Sequence, residues 1–183
     1  MRKVILDLAV TLDGFIEGPN GEIDWCIMDE DIGFETFLED IDAIFYGRVS
    51  YDLWGKYQPD ENATLAEKKI SQEIQDKKKY VFSKTPKEDS EVTYISTEIA
   101  AQVNEIKSQP GKNIWLYGGA SLVTTFINLN LVDVYRLAVH PVILGAGKPL
   151  FSDIRDRVNL TLNEVKSHPS GLILLSYSRK SDS

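Results

Sequence analysis

Cysteine occurs once in the 183 residues, at Cys26, and histidine twice, at His140 and His168. A single thiol gives no intramolecular disulfide and no thiolate metal site. Each histidine precedes a proline, and no carboxylate stands at a spacing that reads as a ligand set, so both are taken as ordinary strand residues and no metal is expected. Basic residues are also short: 20 Lys and Arg stand against 28 Asp and Glu, a net charge of −8. A phosphate backbone needs a basic face, so no nucleic-acid partner is expected. Long apolar runs are missing too. The stretch after Met1-Arg2-Lys3 is broken by Asp7 and Asp13, which reads as neither signal peptide nor membrane span. The expectation is a cytoplasmic protein.

What is present is ordinary globular composition, 43% hydrophobic and 26% charged, and the length suits one domain over residues 1–183 with a single core. Strand and helix patterns alternate. Apolar residues run from Lys3 to Thr11, helical spacing links Phe34, Phe37, Leu38 and Ile41, and Ala43–Tyr46 is a short strand ended by Gly47. A charged helix over Thr64–Lys79 precedes the strand Tyr80–Phe82, and Val92–Ile95 precedes a helix carrying Ile99, Val103 and Ile106. Such alternation predicts parallel strands covered on both faces. Later, Val134–Leu144, Arg157–Ser167 and Leu172–Arg179 read as long strands with no helix to connect them, so they are expected to pair antiparallel. The fold class is therefore three-layer α/β/α with a mixed, mainly parallel sheet ending in antiparallel strands.

The segment from Ile114 to Val123 reads as a buried strand passing through Gly118-Gly119 into a helix that begins near Ala120 or Ser121. Two glycines let the backbone approach a pyrophosphate, and the first helical N–H groups point at the anion; a ligand-free tight turn is the alternative. A second strand-to-helix junction lies at Gly47-Arg48-Val49-Ser50, and Ser83-Lys84-Thr85 ends a third strand. In a parallel sheet all three fall on the carboxyl edge, where ligands bind. Together they offer glycine backbone, hydroxyls and two cations, a set that suits a phosphorylated dinucleotide. The fingerprint with three spaced glycines and the Gly-Lys-Ser/Thr phosphate loop are both absent, so neither standard nucleotide motif contributes.

The ordered segments Thr11-Leu12-Asp13-Gly14-Phe15-Ile16, Ile23-Asp24-Trp25, Phe45-Tyr46-Gly47-Arg48-Val49-Ser50-Tyr51, Val81-Phe82-Ser83-Lys84, Tyr117-Gly118-Gly119 and Pro141 through Phe151 resemble the dihydrofolate reductase superfamily. The likeness is closest to the reductase domain of bacterial riboflavin biosynthesis and its stand-alone relatives. It implies an oxidoreductase that takes NADPH, with the extra phosphate near Arg48, Ser83 and Lys84 and the pyrophosphate near Ser50 and the Gly118-Gly119-Ala120-Ser121-Leu122 turn. Gly47 belongs to the same cradle. The nicotinamide would lie near Ala9, Val10 and Gly14, and the substrate near Trp25 and Phe34. Hydride transfer requires a proton donor, and the resemblance points to the entry of the first helix: Asp31 first, then Glu30, with Asp13 as a further position. Asp29, Glu30 and Asp31 also suit a helix N-terminus electrostatically, without catalysis.

The implied activity is reduction of a small heterocycle, either 5-amino-6-(5-phosphoribosylamino)uracil-like or pterin-like, in riboflavin biosynthesis or beside it. The His-x-Glu and Cys-x-x-Cys of a zinc deaminase half are absent. A homodimer is implied, with Val134–Leu144 and its successors as the contact surface. The competing readings are a non-catalytic nucleotide-binding module and a flavin- or phosphosugar-binding protein.

Overall fold

The structure, a computed structural model, describes residues 1–27 and 33–180. The first half contains β1 (Val4–Thr11), β2 (Phe15–Glu17), α1 (Phe34–Glu39), β3 (Ile41–Gly47) and α2 (Arg48–Ser50), the last prolonged by a wider turn over Tyr51–Gly55. Next come α3 (Leu65–Gln75), β4 (Lys78–Phe82), β5 (Val92–Ile95), α4 (Ile99–Ser108), β6 (Asn113–Gly118) and α5 (Ala120–Asn128). The chain ends with β7 (Val134–His140), β8 (Lys148–Pro149), β9 (Leu160–Ser167) and β10 (Ile173–Arg179). Thr64 caps α3 through a reciprocal bond with Glu67, which satisfies two of the donors left open at that helix start.

The main sheet has eight strands in the order β5-β4-β3-β6-β1-β7-β10-β9, and β2 pairs with β8 in a separate ribbon. From β5 to β7 every pairing is parallel. β10 runs antiparallel to both β7 and β9. The three last long strands therefore pair antiparallel with one another, as the sequence pattern predicts, and β7 also closes the parallel region against β1. α5 carries the chain back across the sheet between β6 and β7, and β9 and β10 are joined through a turn closed by His168 N–H to Leu172 C=O at 2.9 Å.

Other boundaries shift as well: Lys78 and Lys79, expected in the helix over Thr64–Lys79, open β4, because α3 ends at Gln75. Ile41 opens β3 instead of closing α1, because the helix ends at Asp40 after six residues and Ile41 is buried in the sheet. β7 stops at His140, before Pro141, which lacks a backbone donor. Of the surface expected to serve a homodimer, Val134–Leu144 and its successors, β7 lies between β1 and β10. The exposed edge belongs to β9, along which every residue is exposed.

Helices cover both faces of the parallel region. α4 and α5 pack Val103, Ile106, Val123 and Phe126 onto one face, where Phe45 and Leu116 lie. α1 packs Phe37 and Leu38 onto the other face, with Ile44, Tyr46 and Trp115. Both clusters are built of apolar side chains, and apolar burial of this kind is the main stabilising contribution. β6 sits between β3 and β1, although it follows both in sequence. That insertion brings the carboxyl ends of β3 and β6 side by side, and the site is built on them.

Candidate active site

β3 and β6 end next to each other, and the glycines at their ends are in close contact. A Cβ on Gly47 would lie 3.3 Å from the Gly119 nitrogen, and one on Gly119 would lie 3.1 Å from Ser50 Oγ. Gly118 adopts φ of +113°, a conformation that disfavours other residues. The Gly118–Gly119 peptide is cis. α5 starts at Ala120, with Gly119 as its extended N-cap and no side-chain cap. The Gly119 carbonyl already accepts from Leu122 N–H at 2.9 Å and from Val123 N–H at 3.1 Å. Helix geometry leaves the N–H groups of Ala120 and Ser121 directed outward, beside the Ser50 hydroxyl. Gly47, Ser50, Gly118, Gly119, Ala120 and Ser121 therefore converge as expected. Leu122 does not take part as a donor: its amide is engaged and its side chain is in the core.

The remaining expected cofactor residues surround this cradle. Arg48 pairs with Asp52 at 2.9 Å, one helical turn on, and Asp52 also meets Lys87. An exposed pair of this kind is weak, so the guanidinium is available to a stronger anion. Ser83 follows β4, its hydroxyl exchanging bonds with the Thr85 backbone, and Lys84 is exposed. β6 pairs with β1 only over Val4–Leu6, whereas β7 continues alongside β1 to Thr11. The β6-side edge of β1 near Ala9 and Val10 therefore borders the crevice. The Val10 side chain is buried toward α5, so what it offers there is backbone. Gly14 turns the chain out of β1, its N–H bonded to the Thr11 carbonyl at 2.9 Å and its carbonyl to Leu150 N–H.

On the α1 side, the residues just before the two cradle glycines line a cavity. Tyr46 and Tyr117 lie with ring centroids 4.8 Å apart. With Trp54, Tyr57, Ile70 and Ile74 they bound a space of about 480 Å³. Burial pushes the Tyr117 phenol up to about 12 and raises that of Tyr46 as well. Both rings therefore stay neutral, as hydrogen-bond donors, at any physiological pH. Sequence reading missed this cavity. Its outer wall comes from the polar 56–64 segment and α3, whose aromatic and aliphatic residues are separated by ordinary surface sequence.

The expected substrate residues form a second group on the same face. Phe34 meets Trp115 edge-to-face at 5.6 Å and belongs to the aromatic layer under α1. Trp25 meets the ring of His140 at 5.2 Å, nearly perpendicular. His140 is buried, with Nδ1 2.9 Å from the Ala138 carbonyl, and its Nε2 has no hydrogen-bond partner among the described residues. It is a strand residue of β7, as its sequence context indicates. Asp13 accepts from Thr11 Oγ1 at 2.6 Å and from Gly145 N–H at 2.8 Å. These bonds, the Thr11 hydroxyl foremost, hold its carboxyl below the usual range. An ionised carboxylate bound in this way ties the β1–β2 turn to the 141–147 loop. Asp31 and Glu30 lie outside the described residues.

Beneath α1, Asp7 and Arg136 stand opposite each other in the β1–β7 register. They form an ion pair at 2.5 Å with both side chains largely buried. Arg136 also donates to the Gly33 carbonyl at 3.1 Å and stacks over Phe37. Burial outweighs the guanidinium and pushes the Asp7 carboxyl up to about 6. Among the described residues no cluster of His, Cys, Asp or Glu could hold a metal ion, and no helix is long and apolar enough to cross a membrane.

The sequence matches the RibD C-terminal domain over residues 2–174. The chain belongs to that family. The protein YyaP of Bacillus subtilis (strain 168) is 56% identical over 177 residues, covering 96% of this chain and 94% of its own. A riboflavin-biosynthesis candidate from Shewanella sp. PV-4 has the same fold, with a TM-score of 0.79 at 22% identity over 98% of this chain and 99% of that one. The Thermotoga maritima diaminohydroxyphosphoribosylaminopyrimidine deaminase/5-amino-6-(5-phosphoribosylamino)uracil reductase gives 0.69 at 16% identity, over 98% of this chain and 57% of that one. Dihydrofolate reductase from Enterococcus faecalis, complexed with NADP(H), gives 0.63 at 14% identity, over 98% of this chain and 97% of that one. The fold is dihydrofolate reductase-like, and RibD-type membership indicates a reductase.

Proposed function

We propose that this RibD-type protein is an NADPH-dependent reductase of a small heterocyclic substrate. The observation that carries the reading is the sharing of strand ends: Tyr46-Gly47 and Tyr117-Gly118 each contribute an aromatic wall to the cavity and a glycine to the cradle. A dinucleotide held at the glycines would end beside a molecule held in that cavity. The NADP(H) bound to the enterococcal reductase of the same fold supports the choice of cofactor.

The residues fit the cofactor in chemistry as well as in place. The Ala120 and Ser121 N–H groups and the Ser50 hydroxyl would hold the pyrophosphate. Arg48, with Ser83 and Lys84, would hold the phosphate that distinguishes NADPH from NADH. The backbone of Ala9 and Val10, with Gly14, would orient the nicotinamide. When bound, the cofactor supplies a hydride to an electrophilic carbon of the substrate and leaves as NADP⁺. The π electrons displaced from the C=N or C=O bond go to the nitrogen or oxygen, which takes up one proton. Asp31, by its position before α1, is assigned as the source of that proton, with Glu30 beside it.

Two substitutions test the reading. Arg48→Ala is expected to weaken NADPH by about tenfold or more with little effect on NADH, since it removes a charge-assisted bond that only NADPH can make. Isothermal titration with both cofactors measures this, and equal losses would remove Arg48 from the phosphate site. Asp31→Asn is expected to lower turnover by about 100-fold, within the usual range for a general acid, while NADPH affinity is unchanged. Undiminished oxidation of NADPH at 340 nm in that variant would rule out Asp31 as donor.

A further inference from the structure

We propose that the cavity beside the cradle selects a planar ring system that carries no phosphate and no negative charge, with positive charge preferred. The proposal rests on the reductase reading for its biological sense, while its physical basis is the lining itself. Trp54, Tyr57 and Tyr117 present ring surfaces, Tyr46 backs the Tyr117 ring from within the core, and Ile70 and Ile74 close the aliphatic side. Stacking between such faces rewards flat π systems, and ring faces attract cations. Among the described residues the charged members of the lining are Asp60 and Glu67, and none is a lysine or arginine.

The cations on the elements that build the cavity are engaged elsewhere. Lys56 meets Asp89 at 2.9 Å, and Lys68 donates to the Glu61 carbonyl at 2.9 Å. Lys69 meets Glu35 at 3.4 Å. A phosphate placed here would lose its hydration without gaining a counter-charge, and it would face two carboxylates. A volume of about 480 Å³ lies within the ordinary range for small-molecule pockets and admits a ring system of two or three rings. The ribosyl phosphate of the pyrimidine handled by the Thermotoga enzyme therefore does not fit this lining electrostatically.

Two ligand pairs of matched shape test the charge rule on the intact protein, followed by tryptophan and ligand fluorescence. 9-Aminoacridine, a planar cation, is expected to bind at least tenfold more tightly than acridine-9-carboxylate, and uridine at least tenfold more tightly than uridine 5′-monophosphate. Trp54 and Tyr57 are both substantially exposed, so Trp54→Ala and Tyr57→Ala are expected to fold while weakening 9-aminoacridine by about tenfold each. Asp60→Lys is expected to narrow the uridine preference. Tighter binding of the anionic member of either pair overturns the proposal, as does 9-aminoacridine binding that neither aromatic substitution disturbs, or no binding of any probe at millimolar concentration. NADPH titration of the same samples keeps the two readings apart. Ring binding with the expected charge preference but without NADPH binding removes the reductase and leaves the cavity's selectivity; NADPH binding with preference for the phosphorylated nucleoside does the reverse.

Discussion

Replacing Arg136 with leucine is expected to cost about 3–5 kcal/mol of stability at pH 8, the range for a buried ion pair that loses one partner, and much less at pH 5. Asp7 is 7% exposed and faces Arg136 across the β1–β7 pairing. Removing the guanidinium leaves a carboxylate inside the sheet with its counter-charge gone. The pH dependence follows from the direction of the Asp7 shift. Its carboxyl titrates near 6 in the folded protein, against an ordinary value of 3.8. The folded state thus binds the proton more readily than the unfolded state. This group's stabilising contribution is complete below about pH 4 and declines as the pH rises toward 6, by about 3 kcal/mol at about 1.4 kcal/mol per pKa unit. Without Arg136 the carboxyl titrates higher still, so the decline continues to higher pH.

At pH 5 Asp7 is largely protonated in both proteins, and the substitution then costs the hydrogen bonds of Arg136 and its packing on Phe37. Urea denaturation of both proteins at the two pH values measures the difference. Equal losses at pH 5 and pH 8 would show that the side chain acts by packing alone. Adding Asp7→Asn to the Arg136→Leu protein is expected to recover most of the loss at pH 8, because it removes the uncompensated charge.

Gly119→Val is expected to weaken NADPH by at least about 100-fold, equivalent to about 2.7 kcal/mol. Its Cβ alone would lie 3.1 Å from Ser50 Oγ, which is tighter than normal contact. The two further methyl groups would occupy the approach to the Ala120 and Ser121 N–H groups. The loss comes from exclusion of the anion from the helix start. Calorimetric titration reads the affinity, and a thermal melt shows whether the sheet survives. Ser50→Ala is the milder companion, deleting one donor without adding bulk, and is expected to cost about tenfold. A Gly119→Val protein that melts like the parent and binds NADPH as tightly would remove the pyrophosphate from this turn.

Much of this architecture is legible in the sequence because it depends on local pattern. β5 runs from Val92 to Ile95 as the apolar pattern predicts, and α5 begins at Ala120, directly after the paired glycines. The cradle is legible for the same reason: glycine at a strand end followed by a helix start has a fixed local geometry. The small β2–β8 ribbon is not legible, since Phe15–Glu17 meets Lys148–Pro149 across more than a hundred residues. Arg136 reads as one charge in a strand, and its partner Asp7 as a flaw in an apolar run. Only the parallel pairing of β1 and β7 joins them. His140 shows nothing in its sequence context of its buried ring nitrogen, which has no hydrogen-bond partner among the described residues.

The sequence by itself determined the class of fold, the glycine cradle and the excess of acid over base, because these follow from backbone freedom, periodicity and composition. Tertiary structure decided what stands beside the cradle. The insertion of β6 between β3 and β1 set Tyr117 against Tyr46, and the docking of α3 closed the cavity around them. Those contacts join residues distant in the chain, and the order of strands in a sheet is chosen by the packing of the whole core, of which a local stretch of sequence carries no record.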